Sequence, residues 1–190
     1  MKMSSPFNLS LSLALALTFM PGTSLAQDAP ALSKTVTLKS HGGVEVKAPA
    51  WKASRSDDAV SVLERSRAES RGGFRTLVVA VEAGPTKVEV VDWDAVKDNI
   101  LGAAKGAGSD LALDHEGDWS ESEGFKGHRF KGTMRRGERD VAVEMVALIA
   151  PNVMVTLTCL GPTGQADLSL LAQAVAKTAR RPGGEAANAD

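Results

Sequence analysis

The sequence predicts an α+β fold, a mainly antiparallel sheet flanked by two principal helices. Three observations carry that expectation. Segments with apolar residues at alternate positions dominate the chain. Turn signals join them into consecutive hairpins. The stretches of helical period stand apart instead of alternating with strands, as βαβ units would require. Each helix must bury its apolar stripe, and a sheet is the only partner large enough.

The chain opens like an export signal. Lys2 precedes the charge-free apolar run Leu9 to Met20, Pro21 and Gly22 break the helix, and Ser24 and Ala26 put small side chains where a signal peptidase needs them. The expected cut lies between Ala26 and Gln27, leaving residues 1–26 as the signal peptide. A spanning helix needs about 20 apolar residues, more than the run supplies, so a membrane anchor is not expected. A bacterial lipoprotein would carry cysteine directly after the cut. Gln27 stands there instead, so the mature chain should be periplasmic or extracellular and not lipid-anchored. Cys159 is the only cysteine, so no internal disulfide staples the fold.

After a linker at 27–33, residues 34–180 read as one domain, followed by a disordered tail at 181–190 without apolar periodicity. Thr35–Lys39 and Val44–Lys47 alternate and are joined by the His41-Gly42-Gly43 turn, which makes a hairpin. The stretch from Ala48 to Trp51 breaks the pattern. Residues 59–68 form the next strand, its polar second half an exposed edge, and Arg71-Gly72-Gly73 turns it into Arg75–Ala83. In that strand Leu77, Val79 and Val81 share one face, with Val78 and Ala80 on the other.

Beyond Pro85 the period lengthens. Trp93, Val96, Ile100 and Ala103 or Ala104 fall on one helical stripe, with Asp92 as N-cap, Asp94 suited to the helix dipole, and Gly106 and Gly108 as the stop. Strands follow at Leu111–Trp119, Phe125–Arg135, Val141–Ala150 and Val153–Leu160. A last helix runs from Gln165 to Arg180 with Leu168, Leu171, Val175 and Ala179 on one face, ended by Pro182 and Gly183.

This order resembles the PsbP-like fold and, within it, the bacterial envelope proteins of the DcrB type. The likeness rests on Pro49-Ala50-Trp51-Lys52 after the first hairpin, the Asp92-Trp93 helix opening, Gly127-His128-Arg129-Phe130 in the meander, the Val155-Thr156-Leu157-Thr158 strand and the closing helix, over residues 34–180. The resemblance implies binding or scaffolding, as in photosystem accessory subunits, a nuclear-transport factor, envelope lipoproteins and chaperones of type VI secretion effectors. It brings no catalytic constellation and no cofactor. The missing lipoprotein cysteine and the export signal depart from the lipoproteins and the cytoplasmic chaperones respectively.

Charge excludes little beyond nucleic acid. The full chain has 22 basic and 23 acidic residues; without Lys2 the balance is 21 against 23, or −2. A nucleic-acid binder would carry a basic excess. A serine hydrolase needs a nucleophile and a base in reach of each other. The available bases are His41, His115 and His128, and no Gly-x-Ser-x-Gly elbow accompanies them. Cys159 ends the apolar positions Val153, Val155 and Leu157 of a strand, where a thiol behaves as a small buried hydrophobe.

Two clusters remain. Asp114-His115-Glu116-Gly117-Asp118 faces the strand bearing His128, and imidazole and carboxylate donors on paired strands can converge on a divalent ion, with His115, Glu116 and His128 as candidate ligands. Regular alternation, however, puts Asp114, Glu116 and Asp118 on one face and His115 on the other, which favours a solvated turn. The basic hairpin carries Arg129, Lys131, Arg135, Arg136 and Arg139; the first three share a face opposite Phe130 and Met134, pointing outward. Such a face meets an anionic surface or merely blocks edge-to-edge pairing. The leading expectation is an exported, non-enzymatic binding or accessory protein of the envelope with an unidentified partner. The alternatives are a metal-dependent protein or enzyme using the His115 and His128 region, and a surface-binding module led by Arg129, Lys131 and Arg135.

Overall fold

The computed structural model describes residues 31–65, 74–136, 139–164 and 167–182. The predicted signal peptide, residues 27–30 of the linker, residues 66–73 with the predicted Arg71 turn, and residues 183–190 of the tail lie outside the described residues. Among the described residues no helix is long and apolar enough to cross a membrane.

The hairpin of β1 (Leu32–Leu38) and β2 (Val44–Pro49) stands apart as a two-stranded antiparallel sheet, turned through Ser40–Gly42. Strands β3 (Lys52–Ser56), β4 (Val60–Glu64), β5 (Thr76–Ala83), β6 (Asp110–Trp119), β7 (Lys126–Arg136), β8 (Arg139–Ala150) and β9 (Val153–Pro162) form a seven-stranded sheet. Its order is β3-β4-β5-β9-β8-β7-β6, every neighbouring pair is antiparallel, and the sheet does not close into a barrel. Helices α1 (Trp93–Gly106) and α2 (Asp167–Ala176) complete the α+β fold.

Both faces of the sheet are covered. On one, Leu77, Val79, Val81, Leu148, Val155 and Leu157 pack with Leu168, Leu171 and Val175 of α2 and with Val36, Leu38, Val44 and Val46 of the hairpin. On the other, Phe130, Met134, Val143, Met145 and Leu160 form a second cluster with Ile100 of α1, joined by Trp93 and Val96. The faces of β5 and the stripe of α1 match the periodicity. Cys159 is fully buried on the α2 side.

The larger differences from the sequence expectation have physical reasons. β1 begins at Leu32, inside the predicted linker, because Leu32 pairs with Pro49. β3 lies in the stretch read as a break; all its residues are exposed, so an edge strand left no alternation to find. β3 is therefore an edge of the sheet, while β4, expected to end in an edge, is hydrogen-bonded on both sides. α2 stops at Ala176, short of Arg180. There the Thr178 hydroxyl donates to Val175 O at 2.7 Å and accepts from Lys47 N at 2.7 Å, and Arg180 exchanges both backbone hydrogen bonds with Glu45 at 2.8 and 2.9 Å. The chain has left the helix to pair with β2. At the start of the predicted tail Pro182 lies beside Gly43, where an added Cβ would come within 2.9 Å of its ring.

Candidate functional site

The site sits where the start of α1 crosses the β6 and β7 edge. Asp92 caps α1, its carboxylate accepting from Ala95 N at 3.0 Å, so Trp93 and Asp94 open the first turn. Below them β6 and β7 pair in register from Asp110 opposite Arg135 to His115 opposite Phe130. The register then shifts: Gly117 lies opposite Arg129 and Asp118 opposite His128, leaving Glu116 as the extra residue of a β-bulge. Gly117 has φ 127°, a conformation that side chains rarely adopt. The bulge resets the alternation, so His115 and Asp118 share a face. This corrects the expectation that the three acids lie together opposite His115.

Four side chains consequently form one chain of contacts. Asp94 Oδ1 lies 3.0 Å from His115 Nε2, His115 Nδ1 lies 2.9 Å from His128 Nε2, and His128 Nδ1 lies 3.0 Å from Asp118 Oδ1. Both carboxylates are largely exposed, whereas the His128 side chain is 9% and that of His115 33% exposed. Trp93 stacks on His128 with centroids 5.1 Å apart, and Phe130 abuts both imidazoles at 5.2 and 4.9 Å. Lys97 stands 3.9 Å from Asp94, one turn along α1.

Hydrogen counting defines the tautomers. An ionised carboxylate only accepts, so His115 Nε2 and His128 Nδ1 each carry a proton and donate it. The facing nitrogens can then be joined only through something positive between them. Of the candidate ligands, His115 and His128 are thus brought together, but Glu116 is not. It lines a groove on the opposite face with Arg129, Glu144, Ser169 and Gln173. Among the described residues no three histidine, cysteine or acidic side chains converge as a ready metal cage.

The basic residues lie on that opposite face. Lys131 and Arg135 are exposed as expected, but Arg129 is half-buried, with Nε buried and without a hydrogen-bond partner, because α2 covers this face too. Acids interleave with them. Lys131 stands opposite Asp114 and Glu144, 3.8 Å from the latter, and Arg135 stands opposite Asp110 and Asp140. Burial pushes the Glu144 carboxyl above its ordinary value, opposed by Lys131, while Glu116 adds to the rise and Arg129 opposes it. The side chains of Arg136 and Arg139 lie outside the described residues. His41 lies in the turn after β1 at φ 54°, away from the site.

Sequence reasoning missed Asp94 and Trp93 as members of the site and placed Asp118 on the wrong face. The signal for Asp118 was Gly117, since an isolated glycine within a strand pattern marks a bulge. Asp94 lies 21 residues from His115, and no local pattern links them.

No family model matches the sequence, and no curated protein matches it significantly. Among solved structures, a Bacteroides thetaiotaomicron protein is similar with a TM-score of 0.50 and 11% identity, over 75% of this chain and 46% of that one. The chain therefore spans less than half of that protein. A Pseudomonas aeruginosa protein of unknown function, PA94, gives a TM-score of 0.41 at 13% identity, over 72% of this chain and 87% of its own. LpqN of Mycobacterium tuberculosis, involved in cell envelope biogenesis, gives 0.33 at 14% identity, over 84% of each chain. At such identity the Bacteroides structure shows a likeness of fold and nothing finer.

Proposed function

We propose that the protein is an exported, non-enzymatic binding or accessory protein of the cell envelope, a variation on the PsbP-like fold of the DcrB type. One observation carries the non-enzymatic part: every ring nitrogen of His115 and His128 is engaged, by Asp94, by the other ring or by Asp118. A general base needs a nitrogen aimed at a substrate proton. Here the imidazoles instead join the start of α1 to the sheet edge. The export part rests on the N-terminal pattern and on Gln27 in place of a lipoprotein cysteine. The interleaved acids beside Lys131 and Arg135 favour a solvated, pairing-resistant face over an anion-binding patch.

The test is fractionation followed by cross-linking in a native envelope. The expected product is extracytoplasmic, with a mass that begins at Gln27, and it cross-links to the same macromolecule in repeated captures. Retention of the uncut chain in the cytoplasm would overturn the export reading. Turnover of a substrate that disappears on replacing either His115 or His128 would overturn the non-enzymatic one.

A further inference from the structure

The Asp94, His115, His128 and Asp118 chain has the form in which proteins hold a metal ion between histidines. In such sites the ring nitrogen away from the metal donates to a carboxylate, which sets the tautomer and makes the ligating nitrogen more basic. Both imidazoles have that carboxylate, at 3.0 Å each, and both present their remaining nitrogen toward the other. We propose that His115 Nδ1 and His128 Nε2 are a two-nitrogen site for a borderline divalent transition ion, copper(II) before zinc.

Donor type favours copper. Tetragonal nitrogen and oxygen coordination is the copper(II) preference, and copper(II) also leads the affinity order of divalent ions. Binding one ion requires the lone pairs of both rings to point off the line that joins the two nitrogens, and the part-exposed His115 turns more freely than His128, on which Trp93 stacks. The remaining positions open toward solvent on the His115 side, where water or an external donor completes the shell. The ion takes the place between the facing nitrogens that their mutual hydrogen bond now fills, and no bond within either residue is made or broken. Asp94 and Asp118 act as positioning residues, and Glu116, on the opposite face, takes no part.

This site is independent of the accessory role, because export and partner capture do not depend on metal. The test titrates copper(II), then zinc, into the intact chain without a histidine tag, near neutral pH. Calorimetry should give one copper ion per chain. Trp93, stacked on His128, should lose fluorescence as copper binds. Spin resonance should show coupling to two nitrogens. His115→Gln should lower the affinity at least tenfold and remove one nitrogen coupling. Asp118→Asn, which removes no ligand, should weaken binding by about tenfold or more. Circular dichroism confirms that each variant is folded, and His115, being part exposed, is the safer site for substitution. The proposal is overturned if saturable binding is absent, which leaves the pair holding only a hydrogen. It is equally overturned if His115→Gln and Asp118→Asn bind copper as the unaltered chain does, which places the ion elsewhere.

Discussion

Replacing Gly117 by alanine isolates the feature on which the site depends. The backbone there has φ 127°. The nearest atom to an added Cβ, Arg129 Nη2, is 3.8 Å away, ordinary contact distance. The methyl group therefore meets no obstacle, and the whole penalty is torsional, about 1–3 kcal/mol for a side chain held in such a region. The alanine recovers about 0.4–1 kcal/mol by restricting the unfolded chain. The net expectation is a loss of about 1–2 kcal/mol, or about 2–8 °C in Tm for a chain of this size. Urea denaturation measures the loss, and imidazole nitrogen spectra report whether His128 still donates to Asp118. Gly132→Ala is the matched contrast: its Cβ would lie 1.9 Å from the Ala112 carbonyl oxygen, a backbone clash between β6 and β7, so it should cost about 3 kcal/mol or more. If Gly117→Ala stays within about 0.5 kcal/mol of the unaltered protein and keeps its imidazole spectrum, the bulge does not depend on glycine and the reasoning fails.

Other parts of the fold give further expectations. Ser122 accepts from Trp119 Nε1 at 3.1 Å and donates to Ala176 O at 2.7 Å while buried, so Ser122→Ala strands two polar groups and should cost about 2–4 kcal/mol in chemical denaturation. Leu157→Ala, which empties a fully buried position between β9 and the α2 side, should cost about 2–5 kcal/mol in the same assay. Burial pushes the Glu82 carboxyl above its ordinary value. Its contribution to stability is thus complete below the ordinary glutamate range and is lost as pH rises through the raised value. Glu82→Gln should therefore melt higher than the unaltered protein at pH 7 and no higher at pH 4, and equal melting differences at both pH values would contradict that sign.

The sequence made some of this legible and hid the rest for identifiable reasons. The α1 stripe and the two faces of β5 were readable because each element buries a regular face, so Ile100, Ala104, Leu77 and Val79 announce themselves by period. β3 was not, because an exposed edge strand buries no side chain. The end of α2 was set by pairing between Arg180 and Glu45, a contact across 135 residues. Arg129 was expected to face solvent because alternation distinguishes the two faces of a strand without revealing that a helix covers both. His115 and His128 could be singled out by residue type and by their place on neighbouring strands. Their carboxylates could not: Asp118 reaches the site through the Glu116 bulge, and Asp94 through the packing of α1 on the sheet.

The most direct measurement is the tautomer of each imidazole, read from long-range proton–nitrogen spectra of the uniformly nitrogen-15-labelled intact chain. The expected result is a proton on Nε2 of His115 and on Nδ1 of His128, each donated to its carboxylate. Finding His128 with a bare Nδ1, or both rings averaging between tautomers as exposed histidines do, would contradict it.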